Sequence, residues 1–436
     1  MTTTKDTEAT TGTVFDPAQT VHVDVHLIQS FPYSNLNRDR QGAPKTASYG
    51  ATVRGRLSAQ NTRRHTRTDV ERTLGVRALR TRQVPKEVAA ILAERGWDAP
   101  EALAAAQMLI YCAHVKGLGV ADNGGTNALL FLPEAALTEF ADLAEAEREQ
   151  LAGALAKVEA ELAKAKKKRP AKSSDTADVD DQPEADEEDE EAESAAGTVM
   201  AKHAPKELKA LVLAILRSRN AAVAAYGRML ANEAESSVNG AVQVAHGLTT
   251  HRLSVQVDFF SAVDDVLTGG TETGAGHIGD QRYTTGVYYR YASLNWHELV
   301  RNLDGDEATA REVLEAFTRS FITTVLPAKG NNTAAFTLPH LVYTAVRTDR
   351  PINLVGAFET PVRAAEEGGF LPGSLTALGK HAAATDRFLG TRGRAFHAHT
   401  GLTDDDIPAL GKRLGGLDDL IDGITGAIAD LGTPTK

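Results

Sequence analysis

Between Arg38 and Arg82 the chain carries eleven arginines and one lysine against three acids, Asp39, Asp69 and Glu71, an excess of nine positive charges. Planar guanidinium groups match phosphate oxygens in pairs, and a block this dense raises the local potential for any polyanion whatever the overall charge. Nucleic acid is the first partner these residues suggest. A solvated face or a set of local ion pairs is the alternative, with too few acids nearby to complete the pairs. Other constellations carry less. His246 and His251, with Asp258, could be arranged around a metal, but a spacing of five on a strand sends two side chains to opposite faces. The sequence has no GxSxG elbow and no GxxxxGKS/T phosphate loop, and TGGTETGAGHIG lacks the GxGxxG spacing between a strand and a helix. Adjacent Asp264 and Asp265 diverge on an extended chain. No catalytic motif survives, no metal or cofactor is called for, and the chain reads as something other than an enzyme.

The net charge of -11 hides this basic block, because residues 175–193 hold twelve acids and no base; without that run the charge is +1. The acidic run has almost no large apolar residue to offset its ordering entropy, so it reads as a disordered linker within about 170–198. A length of 436 residues, 42% of them hydrophobic, suits two or three structural units with a full core. Cys112 is the single cysteine, which excludes an internal disulfide and suits a small buried hydrophobe. No stretch approaches the roughly 18 to 20 apolar residues of a membrane span, and the first residues are polar; the expected address is the cytoplasm, with no membrane partner.

The elements that must position the basic residues follow from periodicity. Val21, Val23, Val25 and Leu27 alternate with polar residues, which predicts a half-buried strand over 21–30, followed by a turn-rich loop holding Arg38, Arg40 and Lys45. A short strand, an N-cap at Ser58 and a helix then place Arg63, Arg64 and Arg67 along one side. From about 85 to 229 the chain is Ala-rich and helical. VQVAHGLTTHRLSVQVDFFSAVDD predicts one long strand running into a projecting arm, and QRYTTGVYYRYASLNW its return, around a Gly-rich tip. Residues 307–325 predict an amphipathic helix. The mixture of strands and helices argues for an α+β fold.

Several segments in order carry a family resemblance: LNRD at 36–39, RLSAQ before the basic helix, YGRM at 226–229, VNGAVQVAHGLTTH at 238–251, VDFFSAVDD at 257–265, GHIGDQRYTTGVYYRYASLN at 276–295 and VGAFE at 355–359. Together they resemble CasC, the backbone subunit of the type I-E CRISPR surveillance complex called Cascade. The resemblance implies an RRM-like (ferredoxin-like) palm with an inserted helical fingers domain and an extended β-hairpin thumb. It divides the chain into a flexible tail (1–18), palm segments (19–70, 237–252 and 287–400), fingers (71–236), thumb (253–286) and a C-terminal helical segment (401–436). It implies a non-catalytic scaffold whose copies form a helical filament on CRISPR guide RNA (crRNA) and present it to target DNA. Other Cascade subunits and a recruited nuclease-helicase are the further partners. By position in the family pattern, Arg38, Lys45, Arg56, Ser58, Gln60, Arg63, Arg64, Arg67 and Arg228 correspond to crRNA contacts, and Met229 and Ile278 to apolar wedges beside each kinked base. Thr52 and Val53 stand where the family carries basic residues. Two rival functions remain: a guide-directed ribonuclease using Asp39, for which the preferred reading is instead a structural tie to Arg38 or Arg40, and a free-standing RNA chaperone.

Overall fold

A computed structural model of the chain describes residues 20–168, 195–230, 233–263, 275–327 and 329–432. The expected tail at 1–18, the acidic run at 175–193 and most of the Gly-rich tip lie outside the described residues. The described chain is a mixed α/β structure of two compact units, one formed by residues 1–74 and 241–436, the other by 75–240.

The first unit opens with β1 (His22–Ser34), β2 (Thr46–Tyr49), β3 (Thr52–Leu57) and α1 (Ala59–Leu74). The second holds β4 (Ala78–Thr81), α2 (Val84–Glu94), α3 (Ala99–Cys112), β5 (Leu130–Pro133), α4 (Ala135–Ala146), α5 (Arg148–Lys168), α6 (Ala195–His203), α7 (Lys209–Arg217) and α8 (Ala221–Tyr226). The chain returns to the first unit with β6 (Val242–Val244), β7 (Gly247–Thr249), β8 (Val255–Val263), β9 (Ala275–Asn295), α9 (Trp296–Asn302), α10 (Glu307–Thr323) and α11 (Gly330–Thr333). It ends with β10 (Leu341–Arg347), α12 (Leu371–Leu389), β11 (Arg394–Thr400), β12 (Lys412–Arg413) and α13 (Leu417–Gly432).

Strands of the first unit form one sheet in the order β12, β11, β10, β1, β9, β7, β3, β2, with β6 and β8 also paired to β9. The β11–β12 pair is parallel, and β1 runs antiparallel to both its neighbours. Because β1 lies between β10 and β9, it is buried on both faces rather than half-buried as its alternation predicts. Its polar residues therefore find partners inside. Tyr291 Oη and the Ile352 amide donate to the Asp24 carboxylate at 2.8 and 2.9 Å, and His26 Nδ1 lies 2.9 Å from the Tyr289 hydroxyl. Burial pushes the Asp24 carboxyl up to about 6 and the His26 imidazole down to about 3, so this histidine is neutral at pH 7. Ile28, Tyr289, Tyr343 and Phe358 form a core with Leu375, Leu378 and Ala382 of α12.

The single long strand expected over 242–265 is three strands within the described residues, which here end at 263. The first break sets His246 to cap a helix, its Nδ1 accepting the Ala59 amide at 3.0 Å. At the second, the His251 ring stacks on Phe370 with centroids 3.7 Å apart, while its Nε2 accepts from the Val287 amide at 3.1 Å. Both histidines of the hypothetical metal set are thus engaged in local structure. Beyond that break β8 pairs with the outer half of β9 as a long hairpin, from Val255 opposite Thr284 to Ala262 opposite His277.

In the second unit, α3 is the buried centre: Ala102, Ala105, Ala106, Met108, Leu109 and Ile110 each expose 2% or less. Small alanine side chains let neighbouring helices approach closely. Cys112 is buried beside them, and burial pushes its thiol up to about 12, which removes thiolate chemistry near neutral pH.

Candidate nucleic-acid interface

The basic residues of the first unit divide according to the strand and helix periods that carry them. On β3, Arg54 and Arg56 share a face by their spacing, yet their surroundings differ. Arg54 is fully buried, its guanidinium donating to the carbonyls of Thr249 at 2.9 Å, Phe358 at 2.8 Å and Glu359 at 3.3 Å. It is a core tie, not part of the interface. Arg56 is half-buried, nearer the α1 end of the strand.

The loop before β2 is built to hold Arg38 and Arg40 outward. Asp39 Oδ1 accepts the amides of Gln41 and Ala43, both at 2.9 Å, closing a tight turn whose backbone also pairs Arg38 with Pro44. The expected tie between Asp39 and a neighbouring arginine is therefore corrected: the aspartate is structural, and its partners are backbone amides. Asn37 Oδ1 accepts the Ser58 amide at 2.9 Å, fixing this loop to the start of α1, and the Lys45 amide donates to the Asn37 carbonyl at 2.8 Å. Arg38, Asp39, Arg40 and Asn61 line an open polar recess of about 450 Å³ between loop and helix.

Helix α1 starts where Ser58 Oγ accepts the Asn61 amide at 3.3 Å, as a cap should. Thr62, Thr66 and Val70 recur every four residues and are buried, with Glu71 beside them, so the opposite stripe through Gln60, Arg64, Thr68 and Arg72 faces outward. Arg64 and Gln60 are exposed and Arg63 is half-buried. Arg67 forms an ion pair with Glu71 at 2.9 Å, which commits part of its charge to the helix itself. Among the described residues no carboxylate forms an ion pair with Arg38, Arg40, Lys45, Arg56 or Arg64.

The second unit contributes Arg228 and Met229 to the sequence-derived set, and the structure treats them oppositely. Gly227 adopts a φ of 75°, and a Cβ there would lie 2.6 Å from the Gly240 amide nitrogen, so only glycine lets this turn pack against 238–240. Arg228 is buried, donating to the carbonyls of Ser236 at 2.7 Å and Ser218 at 2.8 Å. It holds the turn instead of offering a free guanidinium. Burial brings its pKa down to about 10, and the Arg219 charge adds to this; it stays charged at pH 7. Met229 next to it is 84% exposed, between buried Arg228 and Leu230, so it is no part of the core. Ile278 falls on β9 opposite Ser261, and its side chain lies outside the described residues.

Sequence reasoning missed one apolar surface. Val255, Val257 and Phe259 are 45%, 65% and 71% exposed and share one face of β8. The alternation V-Q-V-D-F is the signal for it, and by itself that pattern predicts only a strand.

Three comparisons bear on this geometry. Residues 23–422 match the family model for CT1975-like protein. Among solved structures the chain is similar to one described as "CRISPR RNA-guided surveillance complex, pre-nicking", with 34% identity, 94% of this chain and 99% of that chain covered, and a TM-score of 0.75. It is also similar to one described as "CRISPR RNA-guided surveillance complex", with 30% identity, the same two coverages and a TM-score of 0.66. None of the curated proteins matches it.

Proposed function

The chain belongs to the CT1975-like protein family, and from that premise we propose that it is a crRNA-binding backbone subunit of a type I-E Cascade complex. The observation that carries this reading is the cluster of Arg38, Arg40, Lys45, Arg56 and Arg64, on the loop before β2, β3 and α1, with which no carboxylate forms an ion pair among the described residues. Uncompensated like charges repel, and a phosphodiester strand is the partner that offsets them with geometry suited to guanidinium groups. A subunit that must accept any spacer sequence should grip phosphate and sugar and leave base edges free. Arg38, Lys45, Arg56, Arg63, Arg64 and Arg67, with Ser58 and Gln60 at the helix start, are assigned that role. Arg228 acts by setting the turn that projects Met229, and Met229 and Ile278 are the wedges beside unstacked bases.

On this reading the central sheet is an RRM-like palm, residues 75–240 are the inserted fingers and the β8–β9 hairpin is the thumb. Copies polymerise along one guide, in the cytoplasm, and display it to target DNA alongside other Cascade subunits; cutting belongs to a recruited nuclease-helicase. The Asp39 ribonuclease is disfavoured because one carboxylate oxygen already accepts two backbone amides. Nuclease digestion of a guide bound to the full chain is expected to leave protected fragments at a fixed period. Protection without a period would instead support an RNA chaperone, and target-RNA cleavage lost on Asp39→Ala would support the ribonuclease.

A further inference from the structure

Beside the Arg38 loop lies a second group of side chains that the guide-contact set does not use. Tyr33, near the end of β1, stacks on Tyr283 of β9 with centroids 4.4 Å apart and planes inclined by 27°. Tyr283 is buried and Tyr33 is 36% exposed, so the pair presents Tyr33 to solvent. Lys329 approaches the same ring, its Nζ 5.3 Å from the Tyr283 centroid, and hydrogen-bonds the Gln281 side-chain oxygen that Tyr283 Oη also uses. Lys329 occupies the left-handed region with φ 52°, a conformation that costs a non-glycine residue energy and gathers at ligand-holding sites. The Arg38 loop is fastened to this spot, because Asn35 Nδ2 donates to both the Gly42 and the Arg282 carbonyls at 2.9 Å.

We propose that Tyr33, backed by Tyr283, is a stacking shelf for one unpaired nucleobase, with Lys329 and Arg38 holding the adjoining phosphate. The inference rests on the RNA-binding reading above and adds to it a base-facing subsite. Tyrosine is apt because every base has a π-face, so a shelf of this kind is tolerant of sequence. Burial, and next the Arg38 charge, hold the Lys329 ammonium below its usual range; two cations set close together are what a shared phosphate would relieve. Burial, then the Asp258 carboxylate and Tyr283, hold the Tyr33 phenol above its usual value, so the shelf is neutral at pH 7. Asp258 is the acid that opposes a phosphate here.

The test compares two single-stranded ligands of equal length on the full chain: oligoriboadenylate and an abasic ribose-phosphate strand. Tyr33→Ala is expected to weaken adenylate binding by about tenfold, the scale of one lost stacking contact, and to leave the abasic strand unaffected; Tyr33→Trp should restore adenylate binding. Lys329→Gln should weaken both ligands and lower the salt slope by about 1, while Asp258→Asn should tighten both. If the unaltered chain binds adenylate and Tyr33→Ala binds it equally well, the shelf is overturned and the RNA reading stands. If the unaltered chain binds neither strand, both fall together.

Discussion

Five basic residues of the second unit and the patch around the Arg38 loop in the first are used in different ways. In the second unit Arg77, Arg95, Arg148, Lys202 and Arg217 each end on a carboxylate: Glu134, Asp142 with Glu145, Glu101, Glu161, and Glu233 with Glu235. In the first unit the acids near the basic block are already engaged, Asp39 with backbone amides, Asp69 with Arg72 and Glu71 with Arg67, so Arg38, Arg40, Lys45, Arg56 and Arg64 remain without acid partners among the described residues. Exposed ion pairs add little stability, so the difference is not explained by a need to hold the fold together. Elsewhere in the first unit Arg301, Arg319, Arg347, Arg394 and Arg413 also end on carboxylates, so the contrast sets one patch, left for an external polyanion, apart from cations closed off by neighbouring acids.

That contrast can be broken by charge reversal. Arg38→Glu with Arg64→Glu is expected to reduce RNA affinity by about a thousandfold at low salt and to lower the slope of log affinity against log salt by at least about 2, measured by filter binding across a salt series. Arg54→Ala tests the buried exception in the same block. Removing a guanidinium that satisfies three carbonyls should cost about 3 kcal/mol of folding stability by denaturant unfolding. Any loss of RNA binding there should track unfolding and leave the salt slope of the folded fraction unchanged.

A third variant sharpens the account on the second unit. Met229→Ala, at a site 84% exposed, should leave stability within about 0.5 kcal/mol yet weaken guide binding by up to about tenfold, as loss of one cover on an unstacked base would. The smallest effect is expected for Arg148→Ala, which ends a paired contact to Glu101 and lifts a guanidinium from the Trp97 ring at 4.1 Å. A slight drop in melting temperature with no change in salt slope is the outcome; a change in slope would mean that paired cations also face the guide.

How far the sequence could go is clearest residue by residue. The helix that presents Arg64 was legible from its cap and its four-residue spacing, because both signals are local. The fate of Arg54 was not, since its carbonyl partners lie about 200 and 300 positions away and no periodicity announces them. β1 shows the same limit: period two marks a strand, but its central place between β9 and β10 is what buries His22, Asp24 and His26. The breaks that divide 242–263 depend on His246 and His251 reaching other elements, which an alternating pattern does not report. YGRM pointed to a special segment, and only the packing of Gly227 against Gly240 explains why Met229 is thrust outward while Arg228 is held in.

Native mass spectrometry of the chain, co-expressed with a CRISPR array and the other complex subunits, tests the central claim most directly. The account predicts several copies bound to a single RNA, with Arg38→Glu, Arg64→Glu chains absent from the assembly. An RNA-free monomer recovered under the same conditions would contradict it.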